Sequence, residues 1–120
     1  MPTGLRSLTR RRDFDSVFRE GISQTSKHLV IYARPNELEI NRVGLAVSRK
    51  VGKAVARNRI RRLLRESLRK VFADVPRRHD FVLIATRHTA DGTFDDFVRE
   101  MERLAKRLYE KNSDIRRRTL

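Results

Sequence analysis

Between Arg49 and Lys70 the chain carries ten basic residues against one acid, Glu66. Ile60, Leu64, Leu68 and Val71, with Leu63 beside them, recur at three- and four-residue spacing through this stretch. The pattern predicts an amphipathic helix over about residues 53 to 72 with one narrow face to bury. Most of the rest of its circumference is cationic. Arg57, Arg61 and Arg65 stand one turn apart and repel by about 0.2–0.5 kcal/mol per pair. A solvated, salt-bridged face would alternate in sign, and Glu66 reaches only Arg62 and Lys70 at four-residue spacing. The fold has to supply an apolar layer for one stripe and leave the arginines to water or to a polyanion.

The whole chain has the same bias. Its 29 Lys and Arg against 15 Asp and Glu give a net charge of +14 and a pI near 11.5, which points to nucleic acid, where neutralised phosphates release counterions. An anionic membrane surface is the rival partner. The apolar runs "LVIYA" and "FVLIA" are far shorter than the roughly 20 residues of a spanning helix. They predict strands. With no cysteine there is neither a disulfide framework nor a thiolate metal site, which suits a reducing, cytoplasmic setting. At 120 residues, 38% of them hydrophobic, the chain has the material for one modest core. The Arg-rich opening "MPTGLRSLTRRRDF" runs straight into an amphipathic segment, so it is kept as part of the fold rather than read as a transit peptide.

Thr9 is the expected cap of a first helix over about residues 10 to 20, with Phe14, Val17 and Phe18 on one face and Gly21 as its stop. His28 to Arg34 alternates Leu29, Ile31 and Ala33 against Val30 and Tyr32, a strand ended by Pro35-Asn36. Arg42 to Ser48 alternates Val43, Leu45 and Val47 against the small Gly44, Ala46 and Ser48, leaving room for something to approach the second face. Gly52 breaks the chain before the basic helix, and Pro76 closes the connection after it. A strand over Asp80 to Arg87 precedes a last helix, about residues 94 to 110, capped by Thr93 and burying Phe97, Met101, Leu104 and Leu108. The expected architecture is a single α+β domain over residues 1–120, in the order α-β-β-α-β-α, with helices packed on a small mixed sheet and a frayed basic tail at 111–120.

Candidate chemistry is sparse apart from the cations. Phe14 and Phe18, four apart, are first of all core residues and secondly a stacking platform for unpaired bases. Tyr32 offers a ring to stack and a hydroxyl for phosphate or 2′-OH. Asp95 and Asp96, in the acidic run "DGTFDD", suit a first helical turn better than a metal site. His28, His79 and His88 lack ligand spacing, with His28 a candidate for the edge of a binding cleft. No nucleophile–base pair and no phosphate loop stands out, so no catalytic residue is assigned. A helix-turn-helix would need a second helix just before the basic one, and none is there, so DNA is not the expected partner.

The stretch "RVGLAVSRKVGKAVARNRIRRLLRE", 42 to 66, joins a V-G-L-x-V-S strand, two basic residues, x-G-x-A-V and an R-N-R triplet followed by I-R-R. It resembles the signature of the bacterial ribonuclease P protein subunit. "RRDFDSVFREG" before it and "DFVLIATR" after it are similar to further parts of that family, so the resemblance covers nearly the whole chain; the last helix matches only in character. Arg49-Lys50 stands where many members have two lysines.

The resemblance implies a subunit that joins a catalytic RNA to remove the 5′ leader of precursor tRNA. It also implies a left-handed strand-helix-strand crossover, where the general rule would give a right-handed one, and Mg²⁺ held chiefly by RNA and substrate. Carried over by position, a leader cleft between sheet and helix holds Phe14, Phe18, Tyr32, Ser48, Lys50, Arg57, Asn58, Arg61 and Arg65, while Arg49, Lys53, Arg59 and Arg62 meet the RNA subunit. Phe14 and Phe18 then share packing and cleft-wall roles. The alternative is a ribosomal or other structural RNA-binding protein, which has no need of the joined strand and R-N-R pattern.

Overall fold

The structure, a computed structural model, describes the backbone of residues 5–72 and 78–119 and the side chains of residues 6–72 and 78–111. Its elements in chain order are β1 (Leu5–Ser7), α1 (Arg11–Glu20), β2 (Ile22–Thr25), β3 (Leu29–Pro35), β4 (Asn41–Val47), α2 (Ala54–Phe72), β5 (His79–Ala85) and α3 (Phe94–Thr119). Short 3-10 turns, Arg49–Val51 and Thr89–Asp91, precede α2 and α3. The strands form one mixed sheet in the order β1-β4-β5-β3-β2. β4 runs parallel to both β1 and β5, whereas β3 is antiparallel to β5 and β2. This is the expected α+β arrangement with two short edge strands added. β1 has three residues and β2 is the polar "ISQT", so neither carries an apolar alternation.

Each long strand sends alternate residues to opposite faces. Leu29, Ile31 and Ala33 of β3, Val43 and Leu45 of β4, and Phe81, Leu83 and Ala85 of β5 share one face. Onto it pack Ile60, Leu64, Leu68 and Val71 of α2, the stripe predicted from spacing, and Phe97, Met101, Leu104 and Leu108 of α3. Full burial of each such side chain stabilises by about 1.5–3 kcal/mol, and this layer is the main core. The other face carries Tyr32, Val82, Ile84 and Ala46 and, among the described residues, receives α1 through Phe14 and Val17, with Leu8 from the segment just before the helix.

The helix ends show which local signals operate. α1 is preceded by Arg10, not Thr9, and has no side-chain cap; the chain is still extended at Arg10, so the expected Thr9 lies one residue too early. Gly52 sits at φ 151, open to glycine because it has no β-carbon, and turns the chain from the 3-10 turn into α2. At α3, Thr93 Oγ1 accepts from the Asp96 N–H at 3.1 Å while Asp96 Oδ2 accepts from the Thr93 N–H at 2.9 Å, a reciprocal cap. α3 continues to Thr119, beyond the expected end near 110. Pro76 lies outside the described residues.

Candidate nucleic-acid interface

α1 lies across the strands over one row of the sheet, Gly44, Val82 and Tyr32, which are register partners on β4, β5 and β3. Phe14 stands directly on Gly44: a β-carbon there would fall 2.5 Å from Phe14 Cζ. The room left by the small face of β4 is therefore partly filled from within the fold, by Phe14. At the other end of the helix the Phe18 and Tyr32 rings meet edge to face, centroids 5.1 Å apart. Phe14 and Tyr32 are half-buried and Phe18 is 39% exposed.

The next row, Ala46, Ile84 and Val30, again register partners, is only half-buried. It forms a shallow trough along the aromatic flank of α1. With strands about 4.8 Å apart, the row from Ala46 to Thr25 spans about 14 Å, and it runs across β4 rather than along it. Arg42, on the same face of β4 as Gly44 and Ala46, is engaged with Asp80 and Asp13. Val30 and Ile84 escaped functional notice in the sequence because their apolar character reads simply as core.

The expected contact residues divide into two groups. Phe14, Phe18 and Tyr32 come together on the α1 face. Ser48, Arg49, Lys50 and Lys53 are exposed where β4 ends beside that trough; Ser48 Oγ accepts from the Lys50 N–H at 3.1 Å and starts the 3-10 turn. Arg57 adjoins them, donating to the Gly52 carbonyl at 2.8 Å. α2, however, packs on the face opposite α1. Lys70 Nζ lies 5.9 Å above the Phe94 ring, so that flank of α2 faces α3. Arg57, Arg61 and Arg65 follow the other flank, along the outer margin of β4. β1 pairs only with Asn41 to Val43, so this margin is uncovered beyond Val43. Arg61 Nη1 donates to Asn58 Oδ1 at 3.1 Å, aligning the two. Arg59 and Arg62 point away from the sheet beside Val55, which is 83% exposed.

No acid pairs with any α2 cation among the described residues. Arg59, Arg62 and Arg65 are exposed, so their charge is presented outward.

Of the acidic and histidine candidates, Asp96 and His28 are occupied structurally. Asp96 serves the α3 cap, and the Thr93 backbone and hydroxyl, with Arg99 beside them, hold its carboxyl below the usual range. His28 is a correction to its expected place at the cleft. It is buried under α3, where its Nδ1 meets Glu100 Oε2 at 2.6 Å and its backbone N–H donates to Oε1 at 2.9 Å. Burial pushes the Glu100 carboxyl up, but hydrogen bonds from Ser26 and His28 outweigh it and leave the carboxyl below its ordinary value. Among the described residues no group of three or more His, Asp or Glu is close enough to hold a metal ion.

The family model for ribonuclease P matches residues 3–109. The ribonuclease P protein component of Clostridioides difficile is 40% identical over 103 residues, covering 85% of this chain and 90% of that protein. That of Caldanaerobacter subterraneus is 36% identical over 109 residues, 89% and 94% of the two chains. Among solved structures, the RNase P protein of Staphylococcus aureus superposes with a TM-score of 0.73 at 31% identity, covering 83% of this chain and 92% of that one. The Thermotoga maritima protein gives 0.71 at 30% identity, with 82% and 96% covered.

Proposed function

The chain belongs to the family of ribonuclease P protein components, the protein part of the endoribonuclease that matures the 5′ end of tRNA, and on that premise we propose how its surfaces divide the work. Its partners follow from that membership: a ribonuclease P RNA and a tRNA precursor. The rival reading as a ribosomal protein is set aside by a match that spans residues 3–109.

The observation that carries the proposal is the half-covered sheet face: an aromatic-walled trough that opens at one end onto unpaired cations. The unpaired 5′ leader lies over Val30, Ile84 and Ala46 against Phe14, Phe18 and Tyr32, through stacking that tolerates any base. Ser48, Lys50 and Arg57 take its phosphates at the end of β4, and Asn58, Arg61 and Arg65 continue that path along the strand margin. Arg49, Lys53, Arg59 and Arg62 face the RNA subunit. Phosphate contacts carry no sequence, so one protein serves precursors with different leaders.

The phosphodiester hydrolysis belongs, in this reading, to the RNA subunit. Mg²⁺ held by RNA and substrate phosphates would polarise a phosphoryl oxygen and activate water. Among the described residues the carboxylates do not fit that ion: no three of them cluster, and Asp80, Asp96 and Glu100 are already committed to protein donors. The protein's part is to orient the leader and screen phosphate repulsion. DNA and membrane have no role in this scheme, and no helix among the described residues is long and apolar enough to cross a membrane. The site of action is the cytoplasm.

The test is reconstitution with a ribonuclease P RNA at low Mg²⁺, measuring affinity for precursors whose leaders lengthen one nucleotide at a time. Affinity should rise over the first few nucleotides, then level off, and the Mg²⁺ requirement should fall when protein is added. Leader-independent affinity would overturn the trough assignment; an unchanged Mg²⁺ requirement would overturn the screening role.

A further inference from the structure

α1 presents two different flanks to the sheet. Phe14 and Phe18 lie on one, beside the open trough; Asp13 and Glu20, two turns apart, lie on the other. Below that second flank runs a row of charged register partners, Arg42 on β4, Asp80 on β5 and Arg34 on β3. Arg42 grips Asp80 with both arms of its guanidinium, Nε to Oδ1 at 2.8 Å and Nη2 to Oδ2 at 2.7 Å, and its remaining nitrogen stands 3.6 Å from Asp13 Oδ2. At the far end of the helix Arg34 Nη1 lies 3.3 Å from Glu20 Oε2.

Asp80 is 1% exposed and is held from its other side by Asn36 Nδ2 at 2.8 Å. A buried carboxylate costs heavily unless paired. The two-pronged grip meets that need and also fixes Arg42 in place, so Asp13 binds a guanidinium already oriented. Ordinary exposed ion pairs contribute little because both partners must be immobilised; here one partner is immobile beforehand.

We propose that the row Arg42, Asp80 and Arg34 is a two-point ionic clamp on one flank of α1, and that Asp13 and Glu20 are positioning residues for leader recognition. The clamp sets how far the opposite, aromatic flank leans over the trough. None of the four charged residues of the two outer pairs needs to touch RNA for the recognition to depend on it. The inference rests on the trough being the leader site.

The experiment uses the reconstituted holoenzyme and compares Asp13→Asn/Glu20→Gln, Asp13→Glu, and Phe18→Ala with wild type, recording the precursor-to-mature tRNA affinity ratio and the thermal midpoint of each free protein. The double variant should lose about threefold to tenfold of the ratio while affinity for mature tRNA holds, and Asp13→Glu should retain most of it. Adding Phe18→Ala to the double variant should cost less than the two losses summed, because both act through one wall. If Phe18→Ala lowers the ratio and the double variant does not, the clamp is wrong and the trough assignment stands. If the double variant lowers affinity for precursor and mature tRNA alike, a general structural role replaces positioning. If Phe18→Ala leaves the ratio untouched, the trough assignment falls and the clamp with it.

Discussion

The two faces of the sheet are built from the same three strands and end differently. One is closed by α2 and α3 over a continuous layer with Phe81, Leu83, Phe97 and Leu104 essentially inaccessible. The other is crossed by a single ten-residue helix that leaves Ala46, Ile84 and Val30 half-covered. The proposed function puts stability on the first face and recognition on the second. β4 shows the division within one strand: Val43 and Leu45 serve the closed layer, Gly44 and Ala46 the open one. Substitutions on the two faces should therefore separate folding from binding.

The largest effect belongs to the closed face. Phe81→Ala removes a fully buried ring that packs on Phe72 at 4.7 Å between centroids, and urea unfolding should show a loss of about 3–5 kcal/mol. A loss under 1 kcal/mol would mean that this layer is not where stability resides.

Next comes the buried pair at the edge of that layer. Glu100→Gln leaves His28 without its carboxylate and should cost about 1–3 kcal/mol near neutral pH. The pH dependence sharpens the test. Because the folded chain holds the Glu100 carboxyl below its ordinary value, the unfolded chain binds that proton first. The wild type should keep this contribution above about pH 4.3 and lose it as pH falls through the lower folded value. The variant should show a flatter acid limb in the same range, and identical slopes would remove Glu100 from the account.

On the open face, Tyr32→Ala should weaken holoenzyme binding of precursor by about 1–3 kcal/mol, the worth of one stacked base. Affinity for mature tRNA and the urea midpoint should move far less. Equal losses for the two RNAs would break the division of labour.

The smallest effect is on the margin. Arg65→Ala should lower the slope of log affinity against log salt by about one phosphate without changing stability. Arg57→Ala should do the same and also loosen the turn at Gly52, whose carbonyl it holds.

Much of the closed face is legible in the sequence, because a helical stripe and strand alternation are local signals. Leu64 and Leu104, or Leu29 and Ile31, announce their burial by spacing alone. The open face is less so. That Phe14 fills the space above Gly44 is a meeting of residues thirty apart, and nothing near either one signals it. Asp80 looks like any strand-flanking acid, yet it is buried because Arg42 reaches it from β4 and Asn36 from just past the end of β3. β1 and β2 carry no pattern since edge strands need none. The family resemblance named the residues of both groups, but separating aromatics from cations needs the knowledge that α1 and α2 lie on opposite sides of the sheet.

The strand order also carries a consequence for when the fold can form. β3 and β4 follow one another along the chain but never pair; β5 enters between them, and it is the last of the described strands to leave the ribosome. Until then the only strand pairs open to the emerging chain, among the described residues, are the β2–β3 hairpin and the short β1–β4 contact. Neither encloses a core. Both faces therefore come into being in one late step governed by long-range contacts, the kind of closure that is slow and leaves little partial structure behind. During that interval an arginine-rich segment with an unburied apolar stripe is already outside, so the protein's first encounter with RNA can precede its own folding.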